Sequence, residues 1–356
     1  MKKIVALLLA AAMAVSATAC SGGGKDTSSA AAAGESSAAA QTSFKVSMVT
    51  DTGGVNDQSF NQSSWEGLQK LKEDTGADVS YSESKQESDY ATNLDKAVDS
   101  GSDLVWGIGF AMGNAIENAA KANPDVQFAI VDNAYENETP ANVTAVVFRA
   151  QEPSFLVGYI AAKTTKTDKV GYVGGIKSGV IDQFEFGYKA GVAYGAKELN
   201  KNIEVVAQYA ESFGDSAKGK AIASKMFSGG CDIVFHAAGN VGTGVIEAAK
   251  EAKKFAIGVD RDQAYLAPEY VLTSALKLVN KATEEVSKEI MDGKKTGGTT
   301  ISLGVSEDAA GIPAEHKLMG EETYKAAIDL QQQIKDNKIV PPASQEQYDE
   351  FVKALK

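Results

Sequence analysis

Histidine and cysteine are nearly missing from this chain, at two residues each in 356, and their scarcity excludes several chemistries. His236 and His316 are too few for a His-rich metal centre. Cys20 stands at the end of an amino-terminal leader, which leaves Cys231 unpartnered, so no disulfide supports the fold. Cys231 lies in GGCDIVFHAA (229–238), a strand pattern in which His236 falls on the opposite face. The two make no catalytic dyad, and Cys231 is expected as a small buried hydrophobe. Past the leader no apolar run is long enough to span a bilayer. Positive charge is short too: 35 Lys and Arg stand against 47 Asp and Glu, for a formal charge of -12. That balance argues against nucleic acid or anionic headgroups as the main partner and leaves a neutral ligand open. GYVGGIKSGV (171–180) lacks P-loop spacing, GNVGTG (239–244) has its glycines out of register for a dinucleotide fingerprint, and no GxSxG elbow occurs. No cofactor is called for, and no catalytic residue is assigned.

What is present begins with Lys2 and Lys3, the apolar run IVALLLAAAMAV and the small residues ATAC ending at Cys20, the pattern of a secretory signal over residues 1–19. Residues 20–43 form a Ser/Gly/Ala tract with the composition of a flexible tether. A cysteine at a cleavage site followed by a tether resembles a bacterial lipoprotein, with Cys20 as the site of lipid attachment. An ordinary secreted protein with an incidental cysteine is the alternative.

From Phe44 onward strands and helices alternate. FKVSMVT, VSYSES, DLVWGIG, VQFAIVD and VTAVVFR read as strands separated by helical patterns, and the cycle restarts at KVGYVGG. Apolar strand runs between helices indicate parallel sheets covered on both faces. The expected fold is α/β, with two similar three-layer lobes: residues 44–149, then 150–274, with 275–356 crossing back toward the first lobe before a helical tail from Glu321. The hinge is expected near Phe148 and Ser274. Ligands gather beyond the carboxyl ends of parallel strands, so the cleft between the lobes is where to look.

At those ends stand Asn56 and Asp57, one of which is expected to cap the following helix, then Phe60 and Asn61 at its start. Asp132 ends VQFAIVD, Asp260 ends FAIGVD and Lys277 ends VLTSALK. A carboxylate takes two hydrogen bonds side by side, which suits neighbouring hydroxyls of a sugar, at roughly 1.5–3 kcal/mol each. Lys277 pairs with one of the carboxylates, donates to a ligand hydroxyl, or is a surface lysine. Phe184 occupies in the second lobe the place of Phe60 in the first, and two such rings would hold a flat ring between them.

These residues resemble a known family, the basic membrane protein or PnrA-like lipoproteins, nucleoside-binding components of ABC importers. VTDTGGVNDQSFNQSSWEGL, FAIVD, EPSFLVGYIAA, FEFGYKAGV, HAAGNVGTGV, IGVDRDQ and TSALK carry the resemblance in order along the chain. It implies a type I periplasmic-binding-protein fold with crossover hinge strands and a nucleoside ligand, most often a purine one. It implies that Phe60 and Phe184 sandwich the base, that Asn56, Asp57 and Asn61 lie near base and ribose, that Asp132, Asp260 and Lys277 meet the ligand's polar edges, and that the Gly239 backbone lies close. A lipid-anchored monomer on the extracytoplasmic face of the cell membrane, serving an ABC permease and its ATPase, is the expectation. The rivals are a binding protein for a free sugar or signalling molecule, with Trp106 and Tyr135 as stacking groups, an extracellular nucleoside hydrolase using clustered carboxylates as metal ligands, and a sugar-repressor-type regulator. The last would need a helix-turn-helix head where the leader and tether stand.

Overall fold

The structure, a computed structural model, describes residues 43–355. The expected leader, the lipid-attachment Cys20 and the tether up to Thr42 lie outside the described residues. Among those described, no helix is long and apolar enough to cross a membrane.

The first lobe opens with β1 (Lys45–Val49), α1 (Phe60–Thr75), β2 (Asp78–Ser82), α2 (Asp89–Asp99), β3 (Leu104–Ile108), α3 (Gly113–Ala122), β4 (Gln127–Val131) and β5 (Val143–Phe148). The second follows with α4 (Gln151–Thr164), β6 (Lys169–Gly174), α5 (Gly179–Glu198), β7 (Glu204–Tyr209), α6 (Ser216–Ser228), β8 (Ile233–Ala237), α7 (Val241–Ala252), β9 (Phe255–Asp260) and β10 (Val271–Lys277). The chain ends with α8 (Val279–Met291), β11 (Thr299–Leu303), β12 (Ala310–Gly311), α9 (Glu321–Lys335) and α10 (Gln345–Leu355).

Two six-stranded sheets result, ordered β11-β5-β4-β3-β1-β2 and β12-β10-β9-β8-β6-β7. Every pairing is parallel except that of the two-residue β12 with β10. Burial explains the sequence pattern. The central strands LVWGI and IVFHA are buried at every position because helices cover both faces, whereas the edge strand DVSYS is exposed or half-buried throughout. Cys231 is buried beside β8, and burial pushes its thiol up to about 11.

The polypeptide passes between the sheets three times: after β5, at Leu278 after β10, and between β11 and β12. Ser274 lies inside β10, shortly before the second passage, and its hydroxyl accepts the Gln263 amide at 3.1 Å. The third passage was not anticipated. The passages are tied together: Arg149 grips Glu152 at 2.7 Å and also Glu307, while Glu152 accepts the Val305 amide at 2.7 Å. Leu278 donates to Ala309 O at 2.8 Å, joining the second passage to the third. α8 packs on α1, so the returning segment completes the first lobe, while α9 packs on α4 and α10 on α5 in the second.

Two helix boundaries differ from the sequence pattern for local reasons. α4 begins at Gln151 rather than Ser154, because Pro153 sits in the first turn, where its missing amide has no intrahelical partner to lose. The carboxyl-terminal tail is two helices: α9 stops where Asn337 takes the left-handed conformation, with φ 55°, and Pro341 and Pro342 follow in the connection.

Candidate functional site

The carboxyl ends of the strands of both sheets converge on one cleft with about 490 Å³ of atom-free space. The first lobe supplies Asp51 just after β1, Asp57, Phe60 and Asn61 around the start of α1, Gly109 and Phe110 after β3, and Asp132 after β4. The second supplies Phe184 from α5, Phe213 after β7, Gly239 after β8, Asp260 at the end of β9 and Lys277 at the end of β10.

Asp132 and Asp260 hold equivalent places in the two lobes and share an unusual backbone, with φ of 67° and 64°. A non-glycine residue in the left-handed region costs about 1–2 kcal/mol, and such strain concentrates where a side chain must be aimed. Lys277, 2% exposed, pairs with Asp132. It is therefore no surface lysine. Its Nζ stands 4.6 Å from the ring centre of Phe60, 5.1 Å from that of Phe148 and 5.8 Å from that of Phe184. Phe60 and Phe184 thus border the same cavity from opposite lobes. Phe184 also packs on Phe235 in its own lobe, with centroids 6.5 Å apart.

Asp57 and Asn61 are already heavily engaged. Asp57 Oδ1 accepts the amides of Ser59 at 2.9 Å and Gln62 at 3.1 Å, and its Oδ2 accepts the Asn61 amide at 2.9 Å. Asp57 is the cap of α1 as well as part of the cleft wall. Asn61 Nδ2 donates to Asp51 at 2.7 Å and to Asp57 at 3.0 Å, which holds the two carboxylates apart on one amide. Asn56 is the correction: it is exposed, outside the cleft lining, and its carbonyl only accepts from the Gln58 side chain at 3.3 Å. Asp57 turns inward to cap the helix, which leaves its neighbour facing solvent.

Burial raises three carboxylates of the cleft. Asp51 is pushed up to about 7 despite the opposing bonds from Asn61 and Gly53. Asp260 is pushed up to about 6, with Lys277 pulling the other way, and Asp57 is raised by burial as well. Desolvated carboxylates in a largely apolar cavity favour a ligand that brings hydrogen-bond donors to them.

Among the polar and aromatic lining residues, sequence reasoning missed three. Asp51 was legible, since only Thr50 separates it from the end of β1, much as Asp132 follows β4. Phe110 and Phe213 also follow strands, and their rings meet edge to face across the cleft at 6.3 Å and 75°. The rival stacking pair does not form. Trp106 is wholly buried in β3, with its indole donating to Ser287 at 2.8 Å, and Tyr135 donates to Gly113 O at 3.1 Å away from the cavity. Among the described residues no group of three or more His, Cys, Asp or Glu side chains is arranged to hold a metal ion.

Residues 44–345 match the family described as ABC transporter substrate-binding protein PnrA-like. The chain belongs to that family. It is 41% identical over 313 residues to basic membrane protein A of Borreliella burgdorferi, covering 87% of this chain and 91% of that protein. It is 40% identical over 326 residues to the ABC transporter nucleoside-binding protein BmpA of Lactococcus lactis, covering 85% and 90%. Among solved structures, a solute-binding protein of an ABC transporter system from Aeropyrum pernix superposes with a TM-score of 0.79 at 26% identity, covering 88% of this chain and 97% of that one. Members of the family are substrate-binding proteins, and the two parallel-sheet lobes with their cleft are their architecture.

Proposed function

We propose that this protein binds a nucleoside, a purine nucleoside foremost, between its lobes and hands it to an ABC permease. The observation that carries the reading is the pairing of Phe60 and Phe184, from opposite lobes, around a cavity edged by Asp132, Asp260 and Lys277. Rings from both sides suit a planar base, and strand-end carboxylates suit vicinal hydroxyls. Because the ligand touches both lobes, it binds the closed form better and draws the equilibrium toward it. The L. lactis relative is named as a nucleoside-binding protein of an ABC transporter, which agrees with this reading.

In the same proposal Cys20 carries the lipid anchor, residues 20–43 are the tether, residues 44–149 and 150–274 are the lobes, and a monomer works on the outer face of the cell membrane. Mass analysis of the mature amino terminus, with and without Cys20→Ala, tests the anchor. Isothermal titration with adenosine, guanosine, inosine, cytidine and ribose tests the ligand. Binding of the purine nucleosides ahead of cytidine is expected. Binding of ribose with failure of every nucleoside would overturn the reading in favour of a sugar-binding protein.

A further inference from the structure

Behind the cleft lies a chain of hydrogen bonds that joins the lobes without lining the cavity. Gln263, wholly buried in the loop after β9, donates its side-chain amide to Gln58 O of the first lobe at 2.9 Å. Its Oε1 faces the other way and accepts the Val259 amide at 3.0 Å. The same oxygen lies 3.0 Å from His236 Nε2. An amide oxygen only accepts, so His236 must carry its proton on Nε2. Nδ1 is buried without a partner. Burial lowers the His236 pKa to about 4, which keeps the ring neutral at physiological pH. The ring is also held in place, since a Cβ on Gly242 would come within 2.0 Å of it. His236 thereby fixes which way the Gln263 amide points, oxygen inward and NH2 toward the opposite lobe.

Gln58 is shaped to receive it. Its φ of 57° lies in the left-handed region, a conformation that glutamine adopts only when its surroundings impose it. Asp57 holds the turn from within the first lobe, and the rest of those surroundings belongs to the other lobe. Gln263 takes its carbonyl, Tyr265 OH donates to its Oε1 at 2.7 Å, and the neighbouring Ser59 hydroxyl bonds to Asp260. About two turns along α1, Glu66 takes Arg261 of the second lobe at 2.8 Å. Gln58 and Ser59 sit between Asp57 and Phe60, which line the cavity, so a grip on this turn also sets where those two stand.

We infer that Gln263, oriented by His236, is a positioning residue for closure: it latches Gln58 across the lobes and sets how long the ligand stays. The inference concerns residues that do not line the ligand cavity, and it rests on the proposed function only for the choice of ligand. A bond made only when the lobes close favours the closed form whether or not a ligand is inside; with a ligand present it slows departure, and arrival, which takes place at the open form, stays nearly unchanged.

Gln263→Glu isolates the latch. It retains an acceptor for Val259 N and His236 Nε2, and at pH 8, where the carboxyl is ionised, it replaces the NH2 facing Gln58 O with a second acceptor. Stopped-flow measurements with a nucleoside bound by the wild type should show dissociation faster by roughly tenfold or more, with association within about twofold of wild type. The thermal midpoint of the ligand-free protein should stay near that of wild type, which a purely structural role would not allow. His236→Phe should raise dissociation by less, because the amide loses one of the two donors that hold its oxygen inward and keeps the other, Val259 N. Spin labels at the exposed Lys121 and Lys250 read the interlobe distance, and both variants should shift it toward the open form with or without ligand. Unchanged dissociation in Gln263→Glu, or a His236→Phe protein indistinguishable from wild type, overturns the inference. If the wild type binds no nucleoside, the functional reading fails alone, and an unshifted label distance in Gln263→Glu still decides against the latch.

Discussion

Replacing Lys277 with methionine keeps the length of the side chain and removes its charge. Lys277 and Asp132 are 2% and 8% exposed, and the ammonium is surrounded by the rings of Phe60, Phe148 and Phe184. Removing one partner of a buried pair costs about 3–5 kcal/mol, because the remaining charge is left without compensation. Asp260 loses its main favourable charge as well, since Lys277 is what opposes the upward push of burial there. The molecule has an escape that a rigid core lacks. Opening the lobes returns Asp132 to water, so the penalty falls on closure rather than on folding.

Closure is what the ligand needs. If the whole penalty acts on the closed complex, affinity for a nucleoside should drop by roughly 10²–10⁴-fold, at about 1.4 kcal/mol per factor of ten. The thermal midpoint of the ligand-free protein should move by only a few degrees. Titration calorimetry gives the first quantity and differential scanning calorimetry the second. The double variant Lys277→Met with Asp132→Asn separates two causes. If the unpaired charge dominates, part of the affinity returns, and if Lys277 acts through the ligand, none does. A Lys277→Met protein that binds its nucleoside within about threefold of wild type would refute the reasoning, since a buried ion pair cannot be broken that cheaply.

Three further outcomes follow from the same geometry. Phe60→Ala, which removes a half-buried ring, should weaken nucleoside binding by about 1–3 kcal/mol and leave the melting temperature nearly unchanged; Phe184→Ala should lose stability as well, by its packing on Phe235. Gly191→Ala should destabilise the second lobe by at least about 1–3 kcal/mol in chemical denaturation, because a Cβ there would lie 1.9 Å from Phe155 O where α4 and α5 touch. Acid should favour closure without ligand: burial holds Asp51 at about 7 and Asp260 at about 6 in the closed form, whereas in an opened, hydrated cleft both titrate near the ordinary value of about 3.9. The closed form thus binds more protons between those limits, and its advantage is lost as pH rises through 6 to 7. Small-angle scattering of the ligand-free protein should give a smaller radius of gyration at pH 5 than at pH 8, and equal radii would contradict it.

The parts legible in the sequence are those that depend on periodicity and on strand ends. Alternating apolar strands and amphipathic helices give the two sheets, because a parallel strand covered on both faces must be apolar throughout and so announces itself. Asp132, Asp260 and Lys277 were found by one rule, that polar residues closing apolar strands face the cleft. Applied evenly, that rule also yields Asp51, whereas Phe110, an apolar residue after a strand, lies beyond it. Asn56 shows where such reasoning stops. Two neighbouring Asx residues before a helix compete for one capping geometry, and only the three amides that Asp57 receives decide which side chain turns inward. The latch is illegible for a different reason. Gln58, His236 and Gln263 lie far apart in sequence, and no pattern of hydrophobicity or charge marks a glutamine whose value rests on the orientation of its amide. Residues that hold two lobes together are polar on both sides of a boundary absent from the linear chain, so the closed structure is the first place where they meet.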